Sequence, residues 1–174
     1  MQLRVPFSEI PEHGIECEIK DSSWFPGDLL EQVDPVDVHV RLTKKNDNRI
    51  ELKGALHTSV MLECDRCLKK FIFQVEAPMQ LVVEVAEQGE HWKLQDLEPT
   101  EAVLETISQH EPVVDMAELL LQQLYLALPE KRLCMEKCSG LCPQCGTDLN
   151  EGNCECDRQA KSSPFAVLES LKKK

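Results

Sequence analysis

Hydrophobic and polar residues alternate over most of the first half of this chain. Ile15, Cys17 and Ile19 alternate with Glu16, Glu18 and Lys20, which predicts a short strand with Cys17 on its apolar side. Val36, Val38, Val40 and Leu42 against Asp37, His39 and Arg41 keep strict period two, the mark of a half-buried strand. The run Lys44 to Asn48 then turns the chain. A second long alternation passes through Ile50, Leu52, Gly54, Leu56, Val60 and Leu62 up to Cys64. After Cys67 the pattern resumes as Phe71, Phe73, Val75, Ala77, Met79, Leu81, Val83 and Val85. These stretches predict antiparallel strands of a meander, with Gly54 and Pro78 marking bulges or bends, because proline cannot serve the middle of a central ladder. His39 and His57 read as structural or surface residues, and Trp24 to Gly27 as a surface loop whose aromatics pack back on the core.

The pattern changes after Val85. Residues 86–112 are polar and acidic and read as a connector, with Thr100 to Ser108 open to either a short helix or a strand. Asp115 followed by Glu118 makes a capping box that opens a helix from Met116 to about Ala127, which Pro129 stops. Six leucines between Leu119 and Leu128 leave that helix little polar face, so it is expected to be buried against the sheet. Ser163-Pro164 starts a last short helix, with Phe165, Leu168 and Leu171 as its apolar stripe. The fold class expected is α+β: an antiparallel β-meander sheet packed on a buried helix, with a C-terminal cysteine-rich zinc-binding lobe. Sheet and helix core occupy residues 1–130, and lobe and terminal helix residues 131–174, within one continuous domain.

Charge narrows the partners. The net charge is -12 over 174 residues, and residues 84–130 hold most of the excess, with 1 basic against 11 acidic side chains. Such a face repels phosphate backbones, so it is either a solvated surface or a docking face for a basic protein such as a ribosomal protein. No run approaches the ~18 apolar residues of a membrane span. The opening MQLRVPFSEI lacks a basic region followed by an apolar one, so the expected location is cytoplasmic.

The candidate chemistry lies in cysteine. Six of nine cysteines fall between Cys134 and Cys156. Cys142-Pro143-Gln144-Cys145-Gly146 lets two thiolates reach one tetrahedral ion, and Gly146 frees the backbone to turn behind it. Cys154 and Cys156 supply the other two ligands. Cys64 and Cys67 sit where two strands reverse, the position of a metal knuckle, and Cys134 with Cys138 is the pair left over. Eight cysteines then make two tetrahedral sites. A rival pairing puts Cys64 and Cys67 with Cys142 and Cys145 around one ion, an arrangement that also suits iron. Zinc, as one or two ions, is the expected metal.

Other readings of the cysteines fit less well. Disulfides need an oxidising compartment, and nine is an odd number. A C-x-x-C redox site belongs in a βαβ unit, which the pattern around Cys142 lacks. A thiol-redox or metal-handling protein using Cys64 and Cys67 remains the alternative function, with an iron electron carrier behind it. No Ser/His/Asp spacing, phosphate-cradling glycine loop or outstanding carboxylate pair marks an enzyme.

Taken together, these pieces resemble the YceD family of large ribosomal RNA subunit accumulation proteins. The residues that carry the resemblance are Cys64-Asp65-Arg66-Cys67-Leu68 with Phe71, Leu126 to Pro129, and Cys138 to Gly146. Asp148-Leu149-Asn150, Cys154-Glu155-Cys156 and Pro164 to Leu168 complete it. The resemblance implies a role in ribosome biogenesis, supporting accumulation of 23S ribosomal RNA without a catalytic reaction. The implied partner is the large-subunit precursor, reached through ribosomal protein or RNA, with no membrane and no small-molecule substrate. Members of the family differ in whether they keep the distal cysteines, which implies a structural staple and favours the two-site pairing.

Overall fold

The computed structural model describes residues 3–85 and 105–156. Its elements in chain order are β1 (Arg4–Pro6), a 3-10 turn (Phe7–Glu9), β2 (Ile15–Ile19), β3 (Glu31–Asn46), β4 (Arg49–Glu63) and β5 (Lys70–Val85). There follow β6 (Glu105–Gln109), β7 (Val113–Asp115) and α1 (Met116–Ala127). Strands β2-β3-β4-β5-β6 form one sheet in that order, and β1 pairs with β7 in a second.

Period-two alternation builds the main sheet. Val38, Leu56 and Ala77 lie abreast on neighbouring strands, as do Leu42, Leu52 and Leu81. All six are buried on one face, whereas His39, Arg41 and Lys53 between them point outward. α1 packs on β4 and β5 through Leu119, Leu120 and Leu124, and Val5, Phe7, Trp24 and Leu30 close the same core. Trp24 and Phe25 do pack back on the core, edge to face at 6.0 Å. Cys17 is buried opposite Val40, and burial pushes its thiol up.

The structure corrects several expectations. The sheet is mixed rather than wholly antiparallel, because β6 runs parallel to β5 from Leu81 opposite Glu105 to Val85 opposite Gln109. The undecided stretch ending at Ser108 is therefore a strand where it is described. Gly54 and Pro78 mark no bulge: the β4–β5 register runs unbroken from Arg49 opposite Glu84 to Glu63 opposite Lys70. Glycine is needed at 54 for close approach, since a Cβ there would collide with the His39 carbonyl and sit 2.7 Å from Val40 Cα. Pro78 precedes the segment paired with β6, where β5 has one partner strand among the described residues, an edge that tolerates proline. The register shifts lie instead in β3, around Asp34 and between Lys44 and Asn46.

The helix begins as its capping residues predict, with Asp115 Oδ1 accepting the Glu118 N–H at 3.2 Å. It ends at Ala127, because Leu128 is held extended ahead of Pro129. Its burial is one-sided: Leu126 and Tyr125 are 68% and 42% exposed, so the leucine run does not bury all round. Among the described residues no helix is long and apolar enough to cross a membrane. The helix expected after Ser163 lies outside the described residues.

Candidate metal centres

The tip of the β4–β5 hairpin is a metal knuckle in shape. Cys64 N–H donates to the Lys69 carbonyl and Leu68 N–H to the Cys64 carbonyl, and Leu68 takes a left-handed φ of 58° to close the turn. The segment after α1 folds across this tip. Asp65 N–H donates to the Arg132 carbonyl, and Arg132 N–H to Asp65 Oδ2, each at 2.8 Å. Arg66 Nη1 donates to the Cys138 carbonyl at 2.7 Å, and Leu141 N–H to the Arg66 carbonyl at 3.1 Å. Gly140 has φ +74°, and a Cβ there would meet the Arg66 carbonyl at 2.9 Å, so the crossing requires glycine.

These contacts bring Cys64, Cys67, Cys134 and Cys138 together, their sulfurs all within 4.8 Å of one another. Cys64 and Cys138 Sγ are 3.8 Å apart, and Cys67 and Cys134 Sγ 3.6 Å. Four thiolates at ~2.3 Å around one ion sit ~3.8 Å apart, so the spacing fits a tetrahedral site. The site is deep: Cys64, Cys67 and Cys138 are buried, with Phe71, Leu133 and Leu141 packed around them.

Cys142, Cys145, Cys154 and Cys156 form a second group within the same limit. Gly146, at φ +73°, turns the chain so that its N–H donates to the Cys142 carbonyl and the Cys142 N–H to the Thr147 carbonyl, both at 2.8 Å. This cluster is more open, with Cys142 buried, Cys154 and Cys156 half-buried and Cys145 exposed. The structure therefore pairs the Cys64/Cys67 knuckle with Cys134/Cys138 and not with Cys142/Cys145.

Electrostatics in both clusters favour a cation. At Cys64, burial opposes ionisation, but N–H groups of Cys134, Cys67 and Arg66 outweigh it and bring the thiol down to about 6. Cys145 also falls to about 6, through the Thr147 hydroxyl and N–H first. In contrast, Cys134 is pushed up to about 12 by burial and then by its three thiol neighbours. Cys156 rises to about 12 through Cys145 first and burial second. Cys142 is lowered as well, through the N–H groups of Cys145 and Gln144 first, so each cluster stabilises some of its thiolates while burial and crowding oppose others, a conflict that a bound divalent ion removes. Each group of four can hold a metal ion, and an all-thiolate tetrahedral set suits zinc.

Several supporting residues, Asp148 and Asn150 of the family motif among them, take roles that the spacing of the cysteines does not reveal. Asn150 Oδ1 accepts the Ser139 N–H at 2.7 Å while its Nδ2 donates to Cys138 Sγ at 3.4 Å. Lys69 pairs with Asp148 at 2.8 Å and with Glu151, which raises the lysine and, with the Asn150 N–H, holds the Asp148 carboxyl low. Apart from the contact between Asn150 and Asp148, each lies far in sequence from the group it touches. A third collection, Glu18, Asp37 and His39, lies on the outer sheet face, Glu18 and His39 exposed and Asp37 half-buried, with His39 Nε2 3.2 Å from Asp37 Oδ1.

Residues 52–172, which include all eight clustered cysteines, match the family model described as large ribosomal RNA subunit accumulation protein YceD. The large ribosomal RNA subunit accumulation protein YCED homolog 1, chloroplastic, of Arabidopsis thaliana is 25% identical over 166 aligned positions, covering 79% of this chain and 49% of the plant protein. An uncharacterized protein of Mycobacterium bovis is 25% identical over 114 positions, covering 66% of this chain and 51% of its own. The chain spans about half the length of these curated relatives. No solved structure matches it significantly. On the family match, which runs from β4 through both cysteine clusters, this chain belongs to the YceD family, whose name implies a role in accumulation of large-subunit ribosomal RNA.

Proposed function

We propose that this protein is a non-enzymatic ribosome biogenesis factor of the cytoplasm, stapled by two zinc ions, that supports 23S ribosomal RNA accumulation by associating with large-subunit precursors. The observation that carries the reading is the family match over residues 52–172. The geometry supports a structural role for the metal. Each cluster supplies four thiolates from the protein, which leaves no coordination position for water or substrate, the arrangement of structural rather than catalytic zinc. The net charge of -12 favours contact through a basic protein of the particle over broad contact with phosphate. Thiol-redox chemistry at Cys64 and Cys67 is disfavoured by their burial, at 0% and 4% exposure, because an attacking disulfide or thiol needs access to sulfur.

The test is the ratio of large- to small-subunit ribosomal RNA in cells depleted of the protein, with a gradient profile of the same lysate. A fall in the ratio with immature large-subunit particles is expected. An unchanged ratio and profile would reject the reading.

A further inference from the structure

A short segment inside the loop of the outer cluster reaches across to the inner one. Asp148 to Glu151 follows the Cys142/Cys145 knuckle and precedes Cys154, so a metal at the outer cluster closes the loop that contains it. From that loop, Asn150 reaches the inner cluster and grips it twice, donating to Cys138 Sγ and accepting from the Ser139 N–H. Leu149 N–H donates to the Gly140 carbonyl at 2.9 Å, beside the glycine that crosses Arg66. From the hairpin side, Lys69 clamps Asp148 and Glu151, two positions after the inner ligand Cys67. Asn150 is itself held, since Asp148 Oδ1 accepts its backbone N–H at 2.8 Å and its Nδ2 at 2.7 Å.

We propose that residues 148–151 are a clasp that couples the two sites, so that metal at the outer, exposed cluster slows metal loss from the inner, buried one, with Asn150 as the positioning residue. This rests on the two-zinc reading above. The physical basis is that an N–H donor to a ligating sulfur orients the ligand and tempers its charge, and its loss commonly weakens a metal site ~10–100-fold. Closing the loop at the outer cluster holds that donor in place, and by linkage the inner metal must stabilise the outer one to the same degree. The difference in exposure sets the order of events. Cys145 is exposed and Cys64 is fully buried, so the outer metal leaves first and the inner metal follows from an already loosened clasp.

The test uses full-length zinc-loaded protein prepared anaerobically, with zinc release followed by a chromogenic chelator. The wild type is expected to release two zinc ions per chain in a fast and a slow phase. Cys145→Ser should leave one zinc, released ~10-fold faster than the wild-type slow phase. Asn150→Ala should bind two and accelerate the slow phase by a similar factor. Asn150→Asp keeps an acceptor for the Ser139 N–H but loses the donor to sulfur, so it should behave as Asn150→Ala does. In the cobalt(II)-loaded protein, both Asn150 variants should move the thiolate charge-transfer band to lower energy, a shift that general loosening would not produce. Two zinc ions in the wild type with an unchanged slow phase in Cys145→Ser and Asn150→Ala would overturn the coupling and leave the two-zinc reading standing. Fewer than two in the wild type would overturn both.

Discussion

Two glycines show how much of this molecule turns on single atoms. At Gly140 a methyl group would strain a φ of +74° and press on the Arg66 carbonyl at 2.9 Å. Gly140→Ala should therefore destabilise the lobe by ~1–3 kcal/mol, seen as a lower midpoint for metal release on heating, with the main sheet unaffected. Gly54→Ala acts elsewhere. Its Cβ would meet β3 backbone in the middle of the sheet, so the whole chain should melt earlier or fail to fold. Residue identity alone made the clustered cysteines legible as candidate ligands, because paired thiols at C-x-x-C and C-x-C spacing have few other uses. It could not reveal Asn150, which lies twelve residues from Cys138 and becomes a sulfur partner only once the lobe has folded.

At the level of elements, legibility follows periodicity. Strands β3, β4 and β5 were readable because one face is buried and the other wet. β6 was not, since five residues reading Glu-Thr-Ile-Ser-Gln carry one aliphatic side chain, and parallel pairing leaves no hairpin signature. The leucines of α1 overstated its burial because composition ignores direction: Leu120 and Leu124 face the sheet, whereas Leu126 faces solvent. The cap was legible and is testable, since Asp115→Ala should cost ~1 kcal/mol in denaturant unfolding. Within the sheet, Glu51 accepts from Lys45 at 2.9 Å and Lys53 at 3.0 Å, and these bonds hold its carboxyl below the usual 4.5. A depressed carboxyl stabilises the fold above its unfolded value, so this contribution is complete above about 4.5 and is lost as pH falls through the folded value. Glu51→Gln should accordingly flatten the acid limb of the stability profile while changing little of its shape near neutrality.

At the scale of the molecule, the described residues form two centres of cohesion that meet at the β4–β5 tip. One is the aliphatic core between sheet and helix; the other is the smaller cluster of Cys64, Cys67 and Cys138 with Phe71, Leu133 and Leu141 around it. Phe71 touches both, so the inner site clips the end of the sheet to the segment that follows the helix. The outer cluster adds nothing to the main core, and Cys142→Ser should loosen the lobe while far-UV circular dichroism of the sheet persists. Melting of the entire chain in that variant would show that the lobe and sheet are one cooperative unit. The pairing of clusters was legible in outline, as four pairs of cysteines divide into two sets of four, while the choice among pairings needed the crossing at Arg66 and Gly140. Native mass spectrometry of the intact chain, purified without oxygen or added chelator, tests the central claim most directly. The account predicts a mass equal to the reduced chain plus two zinc ions, less the protons they displace. A metal-free chain, or one lightened by the paired hydrogens of disulfides, would contradict it.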